Sequence, residues 1–154
     1  MPTEEQLTFA DDLGRWCARE AGFPPVAGRV LGYLAVCDPA EQTINELSDA
    51  LLASRSAITQ AVVLLEGQGL ARRTRARGER VDRVAATLDV MMFERDLDAA
   101  SYLDQAALIR RGIGLLPPDD EGRRQALGEL AALNDFLGER LPLLKEEWRA
   151  RRAP

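Results

Sequence analysis

The chain has 154 residues, of which 46% are hydrophobic and 29% charged, and its formal net charge is −5. This composition is ordinary for a folded chain of one or two small domains. The absence of histidine excludes serine-type triads and the common zinc sites. The carboxylates are scattered, so we expect no enzyme activity, no metal and no cofactor. No apolar run approaches the roughly 18 residues of a membrane span, and the acidic N-terminus lacks a secretory signal. We therefore expect a cytoplasmic protein without a membrane partner.

Two helices are predicted in the first part of the chain. Thr3–Ala21 has helical periodicity, and Thr3 with Gln6 three residues later has the spacing of a capping box. Gly22–Pro25 ends this helix, and Val26–Cys37 follows as a mostly apolar helix that we expect to be buried. The apolar face of the first helix carries Phe9, Leu13 and Trp16.

The two cysteines, Cys17 and Cys37, lie among apolar neighbours on these helices. Their spacing matches no metal or redox motif. We expect buried free thiols at both positions, and the sequence leaves open whether they sense redox state.

The next segment has the order of elements found in a winged helix-turn-helix. Thr43 and Glu46 fit a capping box that opens a short helix, and Leu51–Ser54 predicts a tight turn. Arg55–Gln68 then predicts a second helix, and Arg72–Arg80 a basic hairpin. In this arrangement the second helix enters the major groove of DNA.

The second of these helices is amphipathic. At about 100° per residue, one face is apolar and suited to pack on a core. The opposite face is short and mostly polar, and it carries Val63 as well. Ser54 is expected to cap the N-terminus, whereas Gly67 and Gly69 are expected to form the C-cap and the turn. The apolar face consists of Ile58, Ala61, Val62 and Leu65, and the polar face of Arg55, Ser56, Thr59 and Gln60. Without the basic hairpin, the two predicted helices are also consistent with a helical hairpin that has no role in DNA binding and whose polar face is exposed to solvent.

Local charge favours DNA over that alternative. The segment Leu70–Arg83 contains six arginines against Glu79 and Asp82, a local charge of +4 in a chain whose remainder carries −9. Phosphate neutralisation depends on the local patch, and arginine suits bidentate contacts with phosphate or guanine. A solvated charge run remains the alternative, because 19 of the 20 basic residues are arginines. The six are Arg72, Arg73, Arg75, Arg77, Arg80 and Arg83.

The C-terminal part is predicted to consist of two helices. The first covers Val90–Arg111, and Gly112–Pro118 breaks it. Asp119 or Asp120 can cap the second, which runs to about Arg149 and should kink or restart at Pro142. Its apolar stripe has nearly coiled-coil spacing and consists of Leu130, Leu133, Leu137, Leu141, Leu144 and Trp148.

The terminal helices each present an apolar stripe, and one small winged head cannot cover three. A homodimer with a two-fold axis closes them most simply. Packing of the three helices within one chain is the alternative. The predicted fold is therefore mainly α with a small β-hairpin wing at about residues 70–86, flanked by terminal dimerisation helices.

The segment Gly22–Thr43 resembles the GbsR-like branch of the MarR-type transcriptional regulators. The most specific parts are Ala27-Gly28-Arg29 and the run from Cys37 to Gln42, and the resemblance continues through Glu46–Ala50, Ala53–Ser56 and Leu64–Leu70. It implies a homodimeric, DNA-binding regulator with a dimerisation helix in residues 1–25. A winged head in residues 26–88 and a helical dimerisation region in residues 89–154 would follow.

The resemblance also implies site residues. The recognition helix would be Ser54–Gln68 and the wing tip Gly78–Arg80. The groove-facing positions would be Arg55, Ser56, Thr59 and Gln60, with Arg80 contacting the DNA backbone. Combined with the local charge, the expected double-stranded-DNA contacts are Ser54, Arg55, Ser56, Thr59, Gln60, Arg73, Arg75, Arg77, Arg80 and Arg83.

The function that these features favour is a regulator, more often a repressor in this family, that binds a pseudo-palindromic operator. A winged-helix adaptor that binds protein instead of DNA is the alternative. The family also implies a small-molecule effector, whose identity the sequence does not give. A quaternary ammonium effector would need an aromatic cage. The available aromatic side chains are instead interpreted as core anchors, namely Trp16, Phe23, Tyr33, Phe93, Tyr102, Phe136 and Trp148.

Overall fold

The computed structural model describes residues 1–89, 94 and 97–153, and they form two compact units, Met1–Leu88 and Asp89–Pro154. The fold is mainly α with a small antiparallel sheet, as predicted. In chain order the elements are α1 (Glu4–Ala21), α2 (Pro25–Val36), β1 (Gln42–Thr43), α3 (Ile44–Leu51), α4 (Arg55–Gly67), β2 (Ala71–Thr74), β3 (Arg83–Ala86), α5 (Ala99–Ile113) and α6 (Glu121–Arg152).

Helices α1 and α2 pack closely because small residues meet where they cross. A Cβ added to Gly28 would lie 2.7 Å from the Cα of Gly14, and one added to Gly32 would lie 2.9 Å from the Cα of Ala10. The capping box predicted at the start of α1 is present, since Thr3 and the side chain of Gln6 bond to each other's backbone N–H groups. Local signals therefore set the start of α1, and side-chain size sets its contact with α2.

The core of the N-terminal unit joins α2, α3, α4 and the sheet. Its largest fully buried side chains are aliphatic and come from each of these elements: Val30, Leu47, Leu51, Ile58, Val62, Leu65 and Val84. Burying one such side chain contributes about 1.5–3 kcal/mol relative to exposure. This packing fixes which faces of α3 and α4 turn inward.

The sheet has three strands in the order β1-β3-β2, all antiparallel. Strands β2 and β3 are the predicted hairpin, with Ala71 opposite Ala86 and Thr74 opposite Arg83. Strand β1 was not predicted, because two residues are too few to show a strand period. Its Gln42 pairs with Val84, so β1 ties the start of α3 to the wing.

The prediction of one helix over Val90–Arg111 is wrong. Helix α5 begins only at Ala99, where the side chain of Asp98 accepts from the N–H of Ala100 at 3.0 Å and caps it. Residues 90–93 and 95–96, including Phe93, lie outside the described residues. The apolar spacing at Leu97 continued the helical pattern, but the aspartate that follows it starts a new helix.

Helix α6 extends to Arg152, three residues beyond its predicted end, and Asp120 caps it by accepting from the N–H of Arg123 at 3.1 Å. It does not restart at Pro142, which lies inside the continuous helix. Gly138, one turn earlier, packs so closely on α5 that an added Cβ would lie 2.5 Å from Leu103. The helix therefore continues through Pro142, although proline removes one backbone hydrogen bond.

The apolar stripe predicted on α6 divides between two faces. The buried face, which includes Leu141, consists of Ala131, Asn134, Gly138 and Leu141. Leu137 of the stripe is half-buried. The exposed apolar side chains of α6 in the protomer are Leu130, Leu133, Phe136, Leu143, Leu144 and Trp148. Leu141 therefore belongs to packing within the protomer, whereas the exposed residues of α6 form an open apolar surface.

Candidate nucleic-acid interface

Helix α4 has one buried face and one exposed face, as its helical periodicity predicts. Ile58, Ala61, Val62 and Leu65 are buried, and the polar residues Arg55, Ser56, Thr59 and Gln60 are exposed. Val63 lies outside the core with 57% of its surface exposed. The packed face fixes the rotation of α4, so the polar face points into solvent.

Hydrogen bonds fix both ends of α4. Ser54 caps the N-terminus by accepting from the N–H of Ala57 at 3.1 Å, as predicted. The predicted C-cap was wrong by one residue. Gly67 is the last helical residue and Gln68 is the cap, whereas Gly69 adopts the left-handed conformation with φ 70°. The N–H of Leu70 then reaches the carbonyl of Leu65 at 2.7 Å, as in a glycine-terminated helix end.

A groove of about 530 Å³ separates α4 from the wing. Its α4 side carries exposed polar residues, and its wing side carries arginines. The lining residues are Ile44, Asn45, Arg55, Ser56, Thr59, Gln60, Arg73, Arg75, Arg80, Val81 and Asp82. The structure therefore brings together in one groove all of the expected DNA-contact residues except Ser54, Arg77 and Arg83.

Sequence reasoning missed four of these lining residues. Ile44 and Asn45 lie in the first turn of α3, and Val81 and Asp82 lie in the second half of the wing. Their proximity to α4 depends on the pairing of β1 with β3, which no local pattern indicates. The sequence shows the charge of Asp82 but not its position inside the groove.

Most wing arginines are paired within the protein. Arg75 Nε donates to Asp82 Oδ1 at 2.6 Å across the hairpin, and Arg73 Nε donates to Glu66 Oε2 at 3.1 Å. The hydrogen bond from Arg75 lowers the pKa of Asp82 below its ordinary value. The Arg75–Asp82 pair therefore links the two sides of the wing hairpin.

Arg72 and Arg83 are also paired with carboxylates. Arg83 lies 3.4 Å from Glu79 and 3.7 Å from Glu46, and Arg72 lies 3.9 Å from Glu41. These carboxylates neutralise much of the local charge of +4 that the sequence indicated.

Three arginines near the groove are differently placed. Within residues 1–89, 94 and 97–153, Arg55, Arg77 and Arg80 form no ion pair, and all three are exposed. Arg55 lies at the first turn of α4, and Arg77 and Arg80 flank the wing turn at Gly78, whose φ is 92°. They are the cations that can meet an anionic partner without first breaking an internal bond.

Other kinds of site receive no support from the part of the chain that the structure covers. Its His, Cys, Asp and Glu side chains form no group of three or more that could hold a metal. None of its helices is both long and apolar enough to cross a membrane. Cys17 is buried as predicted, whereas Cys37 is only half-buried, which corrects the prediction. Burial raises the pKa of both thiols, which makes them poor nucleophiles.

The arrangement of α3, α4 and the wing defines a winged helix-turn-helix protein. The sequence profile of the MarR family matches residues 21–80, and the profile of MmpR5-like MarR family transcriptional regulators matches residues 96–151. The HTH-type transcriptional regulator MmpR5 of Mycobacterium tuberculosis is 34% identical over 142 residues, which cover 86% of this chain and 84% of that protein. This chain therefore belongs to the MarR family of transcriptional regulators.

Solved structures that are similar to this chain include a transcriptional regulator and a regulator in complex with DNA. A crystal structure of a transcriptional regulator matches with a TM-score of 0.70 and 24% identity, over 95% of this chain and 99% of that one, which supports the fold. Sco3205 of Streptomyces coelicolor, a MarR family regulator in complex with DNA, matches with a TM-score of 0.45 and 27% identity over 84% and 81% of the two chains. Membership in the MarR family of transcriptional regulators does not favour the alternative of a protein-binding adaptor.

Proposed function

We propose that this regulator binds a pseudo-palindromic operator as a homodimer, with α4 in the major groove and the wing beside the DNA backbone. The single observation that carries the proposal is the groove between α4 and the wing. Its helix side offers hydrogen-bonding groups suited to base edges, and unpaired arginines stand on both sides. Phosphate contacts would position the protein, and α4 would read the sequence.

The residues divide into two roles in this proposal. Arg55, Ser56, Thr59 and Gln60 read base edges, and Arg77 and Arg80 contact phosphates. Ser54 acts through its cap of α4. Arg73, Arg75 and Arg83 hold the wing in shape through their carboxylate partners, so their contribution to DNA binding is smaller than the sequence indicated.

The dimer is proposed from the apolar surface that the protomer leaves open. On α1, Phe9 and Trp16 are 44% and 51% exposed; on α6, Leu133, Phe136 and Trp148 are 53%, 59% and 45% exposed. Trp16, Phe136 and Trp148 are therefore not the core anchors that the sequence analysis expected, whereas Tyr33 is buried as expected. Apolar surfaces of this kind mark protein interfaces. Residues 1–25 and 89–154 are accordingly proposed as dimerisation regions around the winged head.

The finer features of the proposal rest on the sequence. Membership in the GbsR-like branch is proposed from the segment Gly22–Thr43. Repression is proposed over activation because regulators of this family are more often repressors. A small-molecule effector would act by changing the separation of the two copies of α4, because both must enter successive major grooves about 10 base pairs apart.

Selection of duplexes from a random library tests the function. The wild-type protein should enrich a sequence with two related half-sites, and it should bind that duplex more tightly than a random duplex of equal length. Binding to both should weaken as salt is raised, because counterions are released from phosphates. Failure to bind either duplex at low salt would favour the adaptor alternative.

A further inference from the structure

Arg29 of α2 connects two elements that are far apart in the sequence. Its Nε donates to Asp11 Oδ1 on α1 at 2.5 Å, and its Nη1 donates to the carbonyl of Leu51 at the end of α3 at 3.1 Å. The side chain is 28% exposed. Because a guanidinium carries several donors in a rigid plane, one side chain holds both acceptors at once.

Helix α1 is shaped to admit this side chain. A Cβ added to Gly14 would lie 2.7 Å from Cγ of Arg29 and 3.1 Å from the carbonyl oxygen of Pro25. The missing side chain at Gly14 leaves room for the stem of Arg29 next to Asp11. The position of the guanidinium is therefore set by α1 as well as by α2.

The carbonyl that Arg29 reaches belongs to the turn of the helix-turn-helix. Leu51 ends α3, so its carbonyl has no partner within the helix. Leu52 follows in the left-handed conformation, with φ 49°. Ser48 Oγ then donates to the carbonyl of Ala53 at 2.6 Å, and Ser54 caps α4. Two of the carbonyls in this turn are thus held by side chains, one of them local and the other from α2.

We propose that Arg29 is a positioning residue that fixes the direction in which α4 leaves the turn, and that Asp11 orients it. Its charge suits the negative end of α3. Neither residue lines the groove beside α4, so both act through the backbone of the turn. The inference rests on the proposed function and adds to it that α1 helps to set the placement of the recognition helix.

The decisive variant is Arg29→Lys, because an ammonium group is a point charge that cannot bridge both acceptors. We expect it to bind the selected duplex about tenfold more weakly, the low end of what one hydrogen bond to a charged group contributes. Binding to a random duplex and the salt slope should stay unchanged, because the phosphate contacts remain. Asp11→Asn should produce a smaller loss in the same direction, and it provides a second measurement if Arg29→Lys does not fold.

A neighbouring ion pair on α1 supplies matched controls. Arg15 and Asp12 also lie 2.5 Å apart, but their side chains are 72% and 63% exposed and the pair stays within one turn of α1. Arg15→Lys and Asp12→Asn should bind both duplexes like the wild type. All affinities are measured by fluorescence anisotropy well below the melting temperature, so that only folded protein is compared.

The outcomes separate this inference from the proposed function. A lower melting temperature of Arg29→Lys with wild-type affinity for the selected duplex would mean a purely structural role and would overturn it. Wild-type binding by Asp11→Asn would remove α1 from the arrangement and overturn that part. If the wild-type protein binds neither duplex, the proposed function and this inference both fail.

Discussion

Replacement of Arg80 by alanine should change how DNA binding depends on salt, whereas replacement of Arg83 should not. Both residues lie in the wing and carry the same charge, but their surroundings differ. Arg80 is exposed and forms no ion pair within the described residues, while Arg83 lies between Glu46 and Glu79. Of these two arginines, only Arg80 can therefore neutralise a phosphate without giving up an internal partner.

The size of the effect follows from counterion release. Each phosphate contact contributes about −0.9 to the slope of log K against log salt, so loss of Arg80 from both protomers should reduce the slope by about 1.8. Between 50 and 200 mM salt, the wild-type dimer should thus lose about 12-fold more affinity than the Arg80→Ala dimer. The loss should be equal for selected and random duplexes, because phosphates carry no sequence information.

The assay is fluorescence anisotropy with both duplexes at three salt concentrations. Arg83→Ala is the matched control, and we expect it to keep the wild-type slope. Equal slopes for wild type and Arg80→Ala would refute the assignment of Arg80 to a phosphate. A reduced slope for Arg83→Ala would show that its ion pairs open on binding, and the distinction between paired and unpaired arginines would fail.

Three further changes test other parts of the structure. Gln60→Ala should weaken binding by about 1–3 kcal/mol for each base pair that the side chain no longer reads. It should also relax the base preference at one position of each half-site, which single-base variants of the selected duplex measure. An unaltered preference would argue against a role in base readout. Leu144→Glu, on the exposed face of α6, should dissociate the dimer in analytical ultracentrifugation without loss of helicity, whereas Leu141→Glu, at a buried position, should unfold it. Arg110 lowers the pKa of Asp135 through a hydrogen bond. The pair therefore stabilises the fold at pH values above the ordinary aspartate pKa of about 3.9. This contribution disappears as the pH falls through the lower pKa of Asp135 in the folded state. The melting temperature of Asp135→Asn should therefore lie below wild type at neutral pH and coincide with it in strong acid.

Helix starts could be predicted from the sequence because their signals are local. Thr43 and Glu46 exchange the two bonds of a capping box, with Thr43 N–H donating to Glu46 at 2.7 Å. Ser54 and Asp120 each accept from a backbone N–H three residues ahead. In every case donor and acceptor lie within one helical turn, so a short stretch of sequence contains the whole interaction.

Features that depend on distant partners were missed. Strand β1 forms because Gln42 pairs with Val84, which lies 42 residues further along the chain. Leu141 matches the spacing of the exposed stripe as well as that of the buried face, and only the tertiary fold, which buries it, decides between them. Periodicity gives the angle of a side chain about its helix, but it does not say which angle the rest of the fold covers.

The net charge of the wing likewise depends on residues that are distant in the sequence. The sequence identifies the arginines of the wing, but not the carboxylates that reach them from other elements. Glu41, Glu46 and Glu66 bring three negative charges to the wing, which reduces its local charge from +4 to +1. The number of arginines therefore overstates the electrostatic attraction for DNA.

This pairing has a consequence for how the protein distinguishes sequences. Non-specific affinity depends on the number of phosphates that cations neutralise, and only Arg55, Arg77 and Arg80 are unpaired near the groove in the described part of the chain. A protein with few free cations and a net charge of −5 should hold random DNA weakly. Its preference for an operator must then come mainly from base contacts, and these require α4 to be held at a fixed angle. The bonds that Arg29 and Ser48 make to the turn before α4 supply that constraint.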